Sequence, residues 1–257
     1  MRIMILNMAE KFYKNEKFQE FFYPILYIIL SIALVVSGLV IFYNRYYEPI
    51  YVHGSSMMPT LLGGYTSERV NYGIADKHQR AKNSLKRFDV AITYYPASWN
   101  KGDEDTVYKI KRVWGFPGET IRLTHTQFTY SFTVFSSNGL ITERYEAPII
   151  HKEFNLDGQI ENLQVAEFTV NNKTFYTNIS NRYRVFEIKL SEENQEYFLM
   201  GDNWYSSSDS YTHISMKDKI TYSLVQGKVV CIQGTAIYDY AKSKLVDKKR
   251  TKDLYYF

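Results

Sequence analysis

Residues Phe21–Asn44 read FFYPILYIILSIALVVSGLVIFYN, a run of 24 residues between Glu20 and Arg45 without one charged side chain. As a helix at about 1.5 Å per residue, the run is longer than the roughly 30 Å hydrocarbon core of a bilayer. It lacks the polar face that a helix lying on a globular core would carry. Tyr23, Tyr27 and Tyr43 stand toward its ends, where amphipathic rings suit the membrane interface. Pro24 falls in the first turn of the run, where a missing N–H is least harmful. A cleaved export signal would be shorter and would end in small residues, whereas bulky Ile41, Phe42 and Tyr43 end this one. The reading is an uncleaved transmembrane helix over 21–44.

The flanks orient it. Residues 1–20 carry Arg2, Lys11, Lys14 and Lys17, while residues 44–63 carry only Arg45. Lys and Arg are retained on the cytoplasmic side, so the amino-terminal segment 1–20 is expected inside the cell and residues 45–257 outside it. The expected location is the cell membrane, crossed once.

The part after the helix is read as mostly β. Short alternating runs rich in Val, Ile, Thr, Tyr and Phe recur at Asp89–Tyr95, Thr129–Phe135, Glu167–Val170 with Thr174–Thr177, and Tyr183–Leu190. Turn signals separate them at Pro117-Gly118, Asn138-Gly139, Asp157-Gly158 and Asn171-Asn172. Together they predict a coiled antiparallel β-sheet domain over 45–257. Thr66–Lys86 is polar and reads as a solvated loop. Lys242–Asp253 holds six Lys and Arg residues and reads as a tail lying near the membrane or wall.

Composition narrows the chemistry. One cysteine, Cys231, excludes an internal disulfide framework, a cysteine zinc site and an iron–sulfur cluster. The net charge of +4 is too small to make nucleic acid a partner. No metal and no cofactor are expected. The G-x-S-x-G, H-E-x-x-H and P-loop patterns are absent. His53 lies three residues before Ser56, a spacing that puts the two side chains on opposite faces of a strand.

Three stretches carry what chemistry there is. Directly after the apolar helix stands a glycine-flanked serine pair in Tyr51–Leu61, YVHGSSMMPTL. In Tyr108–Thr120, YKIKRVWGFPGET, a lysine alternates with apolar residues, so Lys111 can be tucked against them. Burial penalises the ammonium and lowers a lysine's pKa, and a neutral lysine beside a serine hydroxyl is a nucleophile with its base. In Phe198–Ser210, FLMGDNWYSSSDS, an apolar run ends in a dense polar loop able to orient other side chains.

In this order behind an amino-terminal anchor, these segments resemble the type I signal peptidases, Ser-Lys peptidases that remove signal peptides from exported proteins. The segments that carry the likeness are GSSMMPTL, KRFDVAIT, YKIKRVWGFPGET and MGDNxxSSSDS. The resemblance implies that Ser56 is the nucleophile and Lys111, directly before Arg112, its general base. It gives the Ser56 N–H as an oxyanion donor. At Gly54, where some relatives place a second hydroxyl donor, this chain has no side chain. Ser207 matches the serine that hydrogen-bonds the lysine amine, and Asp209 the acid that braces the site; Asp209 is expected to pair with Arg112. The implied partners are preprotein signal peptides, cut after small residues, and membrane lipid. Met57, Met58, Leu61 and Leu62 either rest on that lipid or pack in the core. A single anchor without disulfides fits the Gram-positive type.

Departures are also visible. Trp204 and Tyr211 stand where the family usually carries arginine, and Thr212-His213-Ile214 replaces an aromatic-glycine step. Some relatives encoded with pilus genes have eroded motifs and act as assembly helpers. The alternative reading is therefore an assembly factor for surface or pilus proteins with little or no hydrolytic activity.

Overall fold

The computed structural model describes residues 16–63, 69–99, 108–156, 158–180, 183–239, 242 and 244–256. Arg2, Lys11, Lys14 and the side chain of Lys17, on which the orientation of the chain was read, lie outside the described residues. The chain divides into two compact units, 1–46 and 47–257.

The first unit holds the helix Glu16–Tyr46. Its stretch Glu20–Tyr46 is long and apolar enough to cross a membrane, and it turns its side chains outward. The helix begins earlier than the apolar run, because Glu16–Glu20 are good helix formers that extend it. Pro24 therefore sits two turns in, not in the first turn, and its ring nitrogen cannot donate to the carbonyl one turn back.

The second unit is mostly β and built from antiparallel sheets, as expected. Its strands are β1 Tyr47–Tyr51, β2 Arg69–Asp76, β3 Val90–Thr93, β4 Lys109–Gly115, β5 Thr120–His125, β6 Thr129–Phe135, β7 Ile141–Leu156, β8 Gln159–Val170, β9 Lys173–Asn178, β10 Phe186–Lys189, β11 Glu196–Met200, β12 Ile220–Thr221, β13 Val225–Asp239 and β14 Lys244–Tyr256. One sheet runs β1-β2-β13-β3-β4-β11-β12, with β14 also on β13; the other runs β10-β5-β6-β7-β8-β9. The turn signals fall between β4 and β5, β6 and β7, β7 and β8, and β8 and β9. Gly118, Gly139 and Gly158 take positive φ there, as tight turns demand.

Two readings are corrected. The stretch 66–86 is not a solvated loop: it contains β2, paired to both β1 and β13, and a short helix Gln79–Asn83. Val70, Tyr72 and Ala75 of β2 point inward, and the polar Arg69, Asn71 and Asp76 within and flanking that set mask the alternation. The basic tail is likewise β14, zipped along β13 from Asp239↔Lys244 onward. Its exposed lysines are the residues that keep an open sheet edge from pairing further.

Three apolar clusters fill the unit. The largest joins Trp114, Phe88, Phe132, Phe168, Phe175 and Trp204, with Trp114 edge-on to Phe88, Phe132, Phe168 and Phe175. A second joins Ile50, Val52, Met57, Leu61, Val90, Ile92 and Val229. Met57 and Leu61 thus pack in the core rather than on lipid, and that packing fixes the loop that carries Ser56.

Candidate active site

Ser56 lies in the turn that follows β1. Gly54 opens the turn at φ 74°, a left-handed conformation that side chains rarely adopt. Met58 N–H then donates to the Ser55 carbonyl (3.1 Å) and Leu61 N–H to that of Met57 (2.9 Å). The loop after β11 clamps the turn from above: Asn203 N–H donates to the Ser56 carbonyl (3.0 Å) and its Nδ2 to the Ser55 carbonyl (3.1 Å). Among the described residues the Ser56 N–H donates to no acceptor, which leaves it available to a bound oxygen.

Lys111 is the third residue of β4, opposite Ala91 of β3. Strand alternation puts Lys109, Lys111 and Val113 on one face and Ile110, Arg112 and Trp114 on the other. The Lys111 side chain is buried, and its Nζ lies 2.7 Å from Ser56 Oγ and 3.0 Å from the Ile110 carbonyl. Burial pushes the amine down to about 8; Asp209 and Asp202 oppose that shift, and Lys109 and Arg184 add to it. A neutral amine at that distance can take the hydroxyl proton. Lys109, on the same face, instead holds its Nζ 5.7 Å over the Tyr95 ring.

The acids of the last loop pair differently from the expectation. Arg112 binds Asp202, through Nε to Oδ1 (2.8 Å) and NH2 to Oδ2 (2.5 Å), not Asp209. Alternation explains this: Arg112 points away from the Lys111 face, and there its guanidinium meets Asp202, the Phe88 carbonyl and the Phe175 ring. Asp209 takes Arg184, from the segment between β9 and β10, at 3.0 and 2.8 Å. All four side chains are buried. Ser207 is placed at the site, but among the described residues its hydroxyl meets no hydrogen-bond partner, and the expected bond to Lys111 is not made. It lies instead against Gly201, where a Cβ would overlap both the Ser207 hydroxyl and the Ser56 carbonyl.

The structure thus brings Ser56, Lys111, Gly54 and Ser207 together and seats Arg112 and Asp209 in separate ion pairs. Asp202, Asn203 and Arg184 were not read from the sequence. The first two lie in the polar segment Phe198–Ser210, whose density of polar side chains is the signal for a clamp such as Asn203; Arg184 lies in the run Tyr183–Leu190, whose alternation signals a strand and nothing more. Trp204 fills the main core, and Tyr211 covers the Arg184 guanidinium at 4.7 Å, so both departures are absorbed by packing. Among the described residues no group of three His, Cys, Asp or Glu could hold a metal ion.

The buried amine has a stability consequence. Lys111 titrates near 8 when folded and near 10.4 when unfolded, so the folded state is penalised below pH 8 and the penalty fades as pH rises toward 10. The shift corresponds to about 3 kcal/mol. Lys111→Met is expected to be more stable than the parent at pH 7 by up to that amount, with the gap closing by pH 10, in urea melts at the two values. A less stable variant at pH 7 would contradict the penalty that burial places on the ammonium.

Comparison with known proteins bears on most of the chain. The family model described as "Signal peptidase, peptidase S26" matches residues 23–233. The chain is 24% identical over 189 residues to Signal peptidase I P of Bacillus subtilis subsp. natto, spanning 73% of this chain and 80% of that one. It is 28% identical over 173 residues to Signal peptidase I of Bacillus licheniformis, spanning 67% and 70%. With Signal peptidase I of Streptococcus pneumoniae serotype 4 it shares 27% over 190 residues, spanning 71% and 79%.

Proposed function

Because the chain belongs to the signal peptidase, peptidase S26, family and is thus a serine peptidase, we propose that it removes N-terminal signal peptides from exported preproteins, after small residues, while anchored in the cell membrane by its amino-terminal helix. Ser56 Oγ attacks the scissile carbonyl as Lys111 takes its proton. The Ser56 N–H stabilises the resulting oxyanion, and the Lys111 ammonium then protonates the leaving amine. The acyl-enzyme is released by a water molecule that Lys111 deprotonates in turn. The observation that carries this reading is the 2.7 Å approach of a buried lysine amine, lowered to about 8, to the serine hydroxyl.

Enzyme and preprotein in one membrane meet at high effective concentration, which lets a short recognition sequence suffice. The Lys and Arg excess before the helix favours an extracellular catalytic domain. Surface or pilus proteins remain among the preproteins such an enzyme could process; no observation favours the non-hydrolytic alternative, since serine and lysine are both in place.

The test uses the full chain in membrane vesicles with a signal-peptide-bearing preprotein at pH 8–9. The expected result is a single cut after a small residue, mapped by amino-terminal sequencing and lost in Ser56→Ala. External protease on protoplasts should digest the β domain. An intact preprotein would refute the activity, and a protected domain the orientation.

A further inference from the structure

Arg184 is among the largest fully buried side chains, yet it belongs to no strand and none of the four motif segments. Its guanidinium reaches four acceptors of one loop. NH1 donates to both Asp209 oxygens, and NH2 to the carbonyls of Trp204 (3.1 Å) and Ser207 (3.4 Å). Asp209 in turn accepts the Gly201 N–H through Oδ2 (2.9 Å) and the Tyr211 and Thr212 N–H groups through Oδ1. Gly201 packs against the Ser56 carbonyl and the Ser207 hydroxyl. A continuous set of contacts therefore runs from Arg184 through Asp209 and Gly201 to the serine turn.

We propose that Arg184 is a positioning residue for the Ser56–Lys111 pair, holding the 201–209 loop closed over it and neutralising the Asp209 carboxylate beside it. The inference rests on the function proposed above for its activity readout, though not for its structural one.

Charge separates this role from simple packing. Charged groups face or flank Lys111 from three sides: Lys109 and Arg112 on its own strand, Asp202 and Asp209 from the last loop, and Arg184 from the β9–β10 segment. Asp209 favours the ammonium, and Arg184 disfavours it. Three backbone N–H donors also hold the Asp209 carboxylate, so it keeps its place beside the pair when its arginine is removed. Arg184→Met should therefore raise the pH at which Lys111 titrates, by about one unit. Asp209→Asn, which leaves the arginine unopposed, should lower it, and the double variant should return toward the parent. Packing loss alone would not move the two single variants in opposite directions.

The experiment follows Lys111 by 13C-lysine NMR in the full chain in micelles, its resonance assigned by loss in Lys111→Ala, beside the acid limb of kcat/KM on a signal-peptide substrate. Support is a rise for Arg184→Met, with about tenfold lower kcat/KM at pH 7 recovered at pH 10, a fall for Asp209→Asn, and cancellation in the double variant. Arg184→Lys, which keeps the charge, should restore much of the parent profile. If Arg184→Met does not fold, the fall in Asp209→Asn and its reversal in the double variant carry the test. Unchanged titration in the single variants, or shifts of one sign, would overturn the proposal. A parent that cleaves nothing would end the proposed function and leave the NMR shifts to decide the role of Arg184.

Discussion

Ser56→Ala and Lys111→Ala are each expected to lower kcat by at least about 10⁴-fold without unfolding the protein, and the double variant should be no worse than either. Non-additivity follows from the geometry: the hydroxyl's bond to Lys111 Nζ is the contact the chemistry needs, and losing either end loses the whole step. Folding should survive because the serine turn is held by other atoms. Met57 is buried in the core and Asn203 clamps the Ser55 and Ser56 carbonyls, none of which involves the Ser56 hydroxyl. Activity in the parent should fall as pH drops through about 8, since only the neutral amine accepts a proton. Lys109→Ala is the control. It shares a strand face with Lys111 but sits over Tyr95, so it should keep most activity, with its acid limb slightly raised because one cation near the amine is gone. Full cleavage by Ser56→Ala would sink the mechanism, and a dead Lys109→Ala beside an active Lys111→Ala would move the base by two residues.

What the sequence discloses depends on whether a signal is local. The apolar run 21–44, the turns at Gly118, Gly139 and Gly158, and the strands between them are read from neighbouring residues, and all appear in the structure. Ser56 and Lys111 are legible because each sits in a dense local motif. β2 and β14 are not, since charged side chains on their outer positions mask strands that exist only through pairing with β13. The same limit governs the ion pairs. Asp209 and Arg112 are both motif residues, but strand alternation turns Arg112 away from the Lys111 face. Its partner Asp202 is equally local in sequence, but only the fold shows which acid reaches which face. Arg184 is invisible from sequence for a further reason: it stands at the start of the alternating run Tyr183–Leu190, which reads only as a strand, and its role comes from a long-range meeting with a loop some 25 residues on.

Asp202→Ala is expected to be the most destabilising single substitution at the site, at about 3–5 kcal/mol. The Arg112–Asp202 pair is bidentate, its side chains are 4% and 0% exposed, and the guanidinium lies 4.1 Å over the Phe175 ring. Removing the carboxylate leaves a buried cation whose other acceptor among the described residues is the Phe88 carbonyl, bonded at 2.7 Å. Such a loss is a large share of the roughly 5–15 kcal/mol that holds a domain folded, so a fall in Tm of roughly 10 °C or more should be visible by calorimetry. The pair's worth is conditional rather than intrinsic. Two desolvated charges gain little over apolar residues of like volume, so Arg112→Met added to Asp202→Ala should recover much of the stability that the single change loses. The effect on Lys111 can be signed as well. Asp202 favours the ammonium, so its removal should shift the acid limb of surviving activity downward. A Tm within a degree or two of the parent, or a double variant no more stable than Asp202→Ala, would show that Arg112 finds another anion and that the pair does not hold the last loop against the strand bearing Lys111.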